Sequence, residues 1–150
     1  MRAAKAAVLS LAVAFVAVQL IPVSRSNPPE TSDPEAPAAI VLLLKRACYD
    51  CHSNQTRWPW YSFVAPASWA VSRHVIEARQ HLNFSEWEAY ASDPQTAVHK
   101  LAEIADQVTS GKMAPWYYRI MHPASRLNRA ERDELIRWAR DEAAAIRASE

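Results

Sequence analysis

An all-α domain is the fold class that this sequence predicts, and three observations predict it. Gly111 is the only glycine in 150 residues, against ten prolines, which disfavours a β-architecture built on many tight turns. No stretch alternates apolar and polar residues as a half-buried strand would, whereas Ala97, Val98, Leu101, Ile104, Ala105 and Val108 recur at helical spacing. Half of the residues are apolar and 22% are charged, which fits a folded chain rather than long disorder.

The composition also excludes functions. One glycine cannot build a phosphate-cradling loop or a dinucleotide fingerprint, both of which need several. A formal charge of +1 leaves no basic footprint, so no nucleic-acid partner is expected. Two cysteines, Cys48 and Cys51, are too few and too close for a disulfide framework.

Along the chain, Ala6 to Val23 is an 18-residue uncharged run preceded by Arg2 and Lys5. It has the minimum length of a membrane span and no polar face, so a buried core helix is disfavoured. A signal anchor (residues 1–26) is the expectation, with a cleaved signal as the alternative, cut near Ser24-Arg25-Ser26. Two cations before the run and one after it favour a cytoplasmic N-terminus, which exports the rest. Beyond residue 26 the charge is −2, since losing Arg2, Lys5 and Arg25 leaves 14 basic residues against 16 acidic ones. Residues 27–37 hold four prolines and three acids and read as an extended spacer. A domain of residues 38–150 follows.

Within it, Ala38 to His52 reads as one helix, and the aromatic segment from Trp58 to Pro66 as irregular. Pro66 can open a second helix through Trp69, Val71, Val75 and Ile76, and Ser85 with Glu88 offers a capping box for a short one. Asp93-Pro94 opens the striped helix, and Gly111 stands where its C′ residue belongs. Lys112 to Arg126 reads as a loop. Asn128 and Glu131 form a capping box for a last helix with Leu135, Trp138, Ala139 and Ile146 on its inner face.

Cys48-Tyr49-Asp50-Cys51-His52 carries the chemistry. Two thiols at i and i+3 can form thioethers with the vinyl groups of a haem while the adjacent histidine ligates iron, so haem c is the expected cofactor. The competing readings are a redox dithiol, which wants a βαβ context, a zinc site, which wants four ligands, and a strained disulfide. For the sixth iron position Met113 is the leading candidate, in a Pro/aromatic loop, with Met121, His122, His74, His81 and His99 as competitors. Met113 is otherwise a gap-filling core residue. Trp58 and Trp60, with Tyr61 and Trp69, can wall the macrocycle or simply pack, and Arg57, Arg73 and Arg79 are candidates to pair with propionates.

At these residues the chain resembles the haem-binding domain family of exported bacterial proteins, small monohaem c-type cytochrome-like chains. The likeness rests on Ala47 to Tyr61 (ACYDCHSNQTRWPWY), Ala65 to Trp69 (APASW), His81 to Trp87 (HLNFSEW), Met113-Ala114-Pro115 and His122-Pro123. It covers about residues 27–140 and includes an N-terminal span ending in a Gln-x-Ile-Pro-like pattern. Two departures are Ala78 before Arg79, where the family favours glycine, and Ala114 between Met113 and Pro115. The resemblance implies haem binding and names no redox partner.

No acid–base constellation stands out, so the expectation is a membrane-anchored, periplasm-facing electron carrier of the inner membrane rather than an enzyme. A haem sensor or peroxidase-like enzyme with an open sixth position is the alternative, and an exported thiol oxidoreductase without haem is a third.

Overall fold

A computed structural model describes residues 1–149. It is all-helical, as the sequence predicts: α1 (Arg2–Gln19), α2 (Ala38–Ala47), α3 (Tyr49–His52), α4 (Ala67–His81), α5 (Trp87–Ala91), α6 (Pro94–Thr109), α7 (Trp116–Met121) and α8 (Arg129–Ala148). Short 3₁₀ turns lie at Trp60–Phe63 and Pro123–Ser125. The one β-type contact among the described residues is an isolated parallel bridge between Ser32 and Glu86.

Helix α6 is built as its sequence requires. The Asp93 carboxylate accepts from the Thr96 amide at its N-terminus, Pro94 occupies the first turn, and Gly111 follows its end at φ 69°. All six residues of its apolar stripe are buried. They pack along α8, whose Leu135, Ala139 and Ala143 are buried and whose capping box of Asn128 and Glu131 is complete in both directions. Ile40, Leu43 and Leu44 of α2 close this core, with Tyr49 and Phe84 stacked at 5.2 Å beneath them.

Three local expectations are corrected. The helix expected over Ala38 to His52 breaks at Cys48 (φ −122°), and α3 is a separate turn. Ser85 and Glu88 do not cap α5, because the Ser85 hydroxyl accepts from the Asn54 amide and the Glu88 amide donates to Ser32 Oγ. The expected loop of Lys112 to Arg126 contains α7. Helix α4 runs through Trp69, Val71, Val75 and Ile76 as expected, with Ser68, Ser72 and Val75 buried on its inner face and Trp69 and Ile76 exposed.

Small inner residues on α4 admit a close neighbour, and that neighbour is the chain just after α1. Ser72 Oγ donates to Ser24 O at 2.6 Å, Arg79 Nη1 to Ser26 O at 2.9 Å, and Arg25 Nη1 to Ser62 O at 3.0 Å. Farther on, Asn54 Nδ2 donates to Pro29 O, Thr31 Oγ1 to Ser85 O and Tyr49 Oη to Asp33. Residues 27–37 are extended, as their prolines dictate, yet hydrogen-bonded along the domain. Helix α1 itself is uncovered, with Leu9, Leu11, Val13 and Val16 all exposed.

Candidate functional site

The Cys-x-x-Cys-His segment is one helical turn set at an angle to α2. Cys48 O accepts from both the Cys51 amide (3.1 Å) and the His52 amide (2.9 Å), so Cys48, Cys51 and His52 are gathered around a single carbonyl. Both thiols are free and half-buried. Burial, with Cys51 nearby, pushes the Cys48 thiol up to about 12. Burial and Asp50 push Cys51 up to about 11, against the opposing pull of Arg79. Both are protonated at neutral pH, the opposite of the low-pKa thiolate that dithiol exchange uses.

His52 is oriented by the end of α4. Its Nδ1 lies 3.1 Å from Ala78 O and 3.1 Å from Leu82 O, carbonyls that the last helical turn leaves open to a further donor. Two acceptors at one nitrogen make it the protonated one, and Nε2 then keeps its lone pair. Burial holds the His52 pKa below the usual histidine value despite those carbonyls. The ring is therefore a neutral imidazole with a fixed tautomer, the form a metal ligand takes.

The loop beyond the motif is locked by buried polar groups. Ser53 Oγ donates to Tyr49 O, Asn83 Nδ2 donates to Asn54 Oδ1, and the Phe84 amide donates to His52 O at 2.7 Å. Arg79 is the clamp. Its guanidinium reaches Ser53 O, Ser26 O, Asn27 Oδ1 and Thr56 Oγ1 at 2.8–2.9 Å, joining α4, the motif loop and the post-α1 chain. The other propionate candidates are also engaged: Arg57 with Asp50 at 3.2 Å, and Arg73 with Glu77 at 2.7 Å on the outer face of α4.

Asp50, inside the motif, links it to α7. Its carboxylate accepts from the Arg57 backbone amide and guanidinium and from Tyr118 Oη. The Tyr118 ring stacks on His122 at 4.1 Å, and Tyr61 Oη lies 2.7 Å from His122 Nε2. His74 is stacked on Tyr117 at 5.7 Å.

Of the residues singled out in the sequence, the structure brings Cys48, Cys51 and His52 together. Trp58 follows them with its indole N–H buried and without a hydrogen-bond partner among the described residues. Trp60 is 73% exposed, packed edge-on against Tyr61. Met113 is 38% exposed on the loop before α7, and no hydrogen bond or ion pair joins its side chain to the motif among the described residues. Reasoning from sequence missed the bridging roles of Asp50, Tyr118 and Arg79. The only hint was an acid placed between two cysteines.

The residues fit a haem: two free thiols in one short segment with an imidazole whose Nε2 has no partner among the described residues, and an indole N–H likewise unpartnered among them at Trp58. Thiol and imidazole side chains are among those by which proteins hold haem. No curated protein and no solved structure matches the chain. The family model for the haem-binding domain matches residues 13–141, which takes in the end of α1, the motif and most of α8. The chain belongs to the haem-binding domain family.

Proposed function

We propose that this protein is a membrane-anchored c-type cytochrome that passes single electrons on the periplasmic side of the bacterial inner membrane. The observation that carries the reading is the fixed imidazole of His52, its Nδ1 committed to Ala78 O and Leu82 O and its Nε2 without a partner among the described residues, in the same Cys-x-x-Cys-His segment as two free thiols. Each thiol would add across one vinyl group, the S–C bond forming at one vinyl carbon and the thiol hydrogen passing to the other. Bound iron supplies one-electron redox chemistry. The protein's part is to hold the His52 tautomer, wall the site with aromatics such as Trp58, and exclude water.

Met113 is proposed as the sixth ligand. The loop that bears it is tied to the motif five residues later through Tyr118 and Asp50. Retention of α1 as an anchor is supported by the bonds from Gln19, Ser24 and Arg25 to Ala65, Ser72 and Ser62, which cleavage near residues 24–26 would break or detach. Arg2 and Lys5 ahead of the span favour an exported domain.

Production with haem-attachment machinery tests the reading. Haem should stay with the polypeptide in a denaturing gel and give a c-type pyridine haemochrome, and Cys48→Ala with Cys51→Ala should release it. Haem lost from the wild-type chain on denaturation overturns covalent attachment. A second reading, a sensor or peroxidase-like protein with an open sixth position, draws on the exposure of Met113 and predicts a high-spin spectrum with ready CO binding.

A further inference from the structure

We infer that an exposed aromatic edge of the haem domain, formed by Trp60, Phe63 and Val64, lies in the headgroup layer of the lipid bilayer. The domain then rests on the membrane in one orientation instead of hanging from it. The inference rests on the reading of α1 as a retained anchor. Its first support is position. Gln19, the last residue of α1, makes two hydrogen bonds to Ala65: Gln19 Oε1 accepts from the Ala65 amide at 2.8 Å, and Gln19 Nε2 donates to Ala65 O at 3.4 Å. An 18-residue helix is about 27 Å long at ~1.5 Å per residue, close to the ~30 Å of a hydrocarbon core. The end of α1 therefore sits at the boundary between acyl chains and headgroups, and residue 65 sits there with it.

The second support is chemistry. Next to that point the chain exposes Trp60 (73%), Phe63 (59%) and Val64 (38%), large apolar side chains that solvent alone would disfavour as a cluster. Aromatic residues of this kind gather at the membrane interface. Arg25, six residues past the helix, lies with its guanidinium 4.6 Å from the centroid of the Phe63 ring and donates to Ser62 O. No carboxylate pairs with Arg25 among the described residues, so its charge remains available to lipid phosphate at the same level. The inference gives Trp60 to lipid in place of the haem wall expected from the sequence.

Photo-crosslinking in the full-length holoprotein tests this, in vesicles of phosphatidylethanolamine and phosphatidylglycerol and in intact cells. Benzoylphenylalanine replaces Phe63 or, in a second variant, Trp60. Phe15 within α1 and Ala144 on the exposed face of α8 serve as references. The haem spectrum reports folding of each variant. Lipid adducts at 15 and at 63 or 60, severalfold above those at 144, are expected. Adducts at 15 with background yield at both 60 and 63 overturn the interface and leave the anchor intact. Background yield at 15 overturns the anchor itself. A protein adduct at 60 or 63 in cells, with no lipid adduct, overturns the inference in favour of a partner protein.

Discussion

Tyr118 Oη donates to the Asp50 carboxylate at 2.7 Å, joining α7 to the middle of the Cys-x-x-Cys-His turn across 68 residues of chain. Asp50 is only 9% exposed and divides its oxygens between Tyr118 and Arg57. Burial and the adjacent carboxylate push the Tyr118 hydroxyl above its usual range, so it remains a donor throughout physiological pH. The segment that bears Met113 is thus registered against the motif by one charge-assisted bond.

Tyr118→Phe should cost about 1.5–3 kcal/mol, the usual worth of a hydrogen bond to a charged group. Thermal melts measure the loss, and hydrogen exchange should show faster opening of residues 113–123. Unchanged exchange there would mean that the bond does not hold the segment.

Met113→Ala in the haem-loaded protein should abolish the weak red absorption of thioether–iron ligation and lower the reduction potential or open the site to CO. Met121→Ala should leave that absorption in place. A Met113→Ala variant that keeps the band assigns the ligand elsewhere.

Arg79→Lys keeps the charge and loses the fork. A single ammonium cannot reach Ser53 O, Ser26 O, Asn27 and Thr56 together, and about 2–3 kcal/mol of stability should go with them. Urea denaturation reads this directly, and protease should cut first within residues 20–33.

The Asp93 cap gives a pH signature. Bonds from the Thr96 hydroxyl and amide hold its carboxyl below the usual carboxylate range. A depressed native pKa means that the stabilisation is complete above the unfolded value of about 4 and fades as pH falls through the lower native value. Asp93→Asn should flatten this part of the acid limb in a plot of Tm against pH.

Gly111→Ala should destabilise by about 1 kcal/mol through its backbone alone. The residue has φ +69°, and an added Cβ meets nothing within 4 Å. A neutral substitution in a melt would show that the turn after α6 relaxes.

What the sequence made legible was local or covalent in logic. Cys48, Cys51 and His52 stand out because the proposed thioether attachment needs that spacing. Asp93, Asn128 and Gly111 are readable because a helix end demands particular side chains within three residues. The stripe of α6 is readable because burial repeats every turn. Contacts across the chain left no such trace. Ser72 and Arg79 look like the polar side of α4, and only the fold shows that residues 24–27 cover them. Helix α7 reads as a loop because Trp116, Tyr117, Ile120 and Met121 are all exposed, so no buried stripe marks it. Trp58 and Trp60, two residues apart in one motif, look equivalent on paper and differ sharply in exposure.

The stitched course of residues 20–37 changes what the domain can reach. As a free strand those residues would extend roughly 60 Å at ~3.3–3.6 Å each, enough to let the domain sweep a large volume around the end of α1. Laid along α4 and the motif loop, that length is spent on the domain's own surface. For an anchored chain, collision with a protein diffusing in the same bilayer becomes a search in two dimensions, and partners that float far from the membrane fall outside its radius.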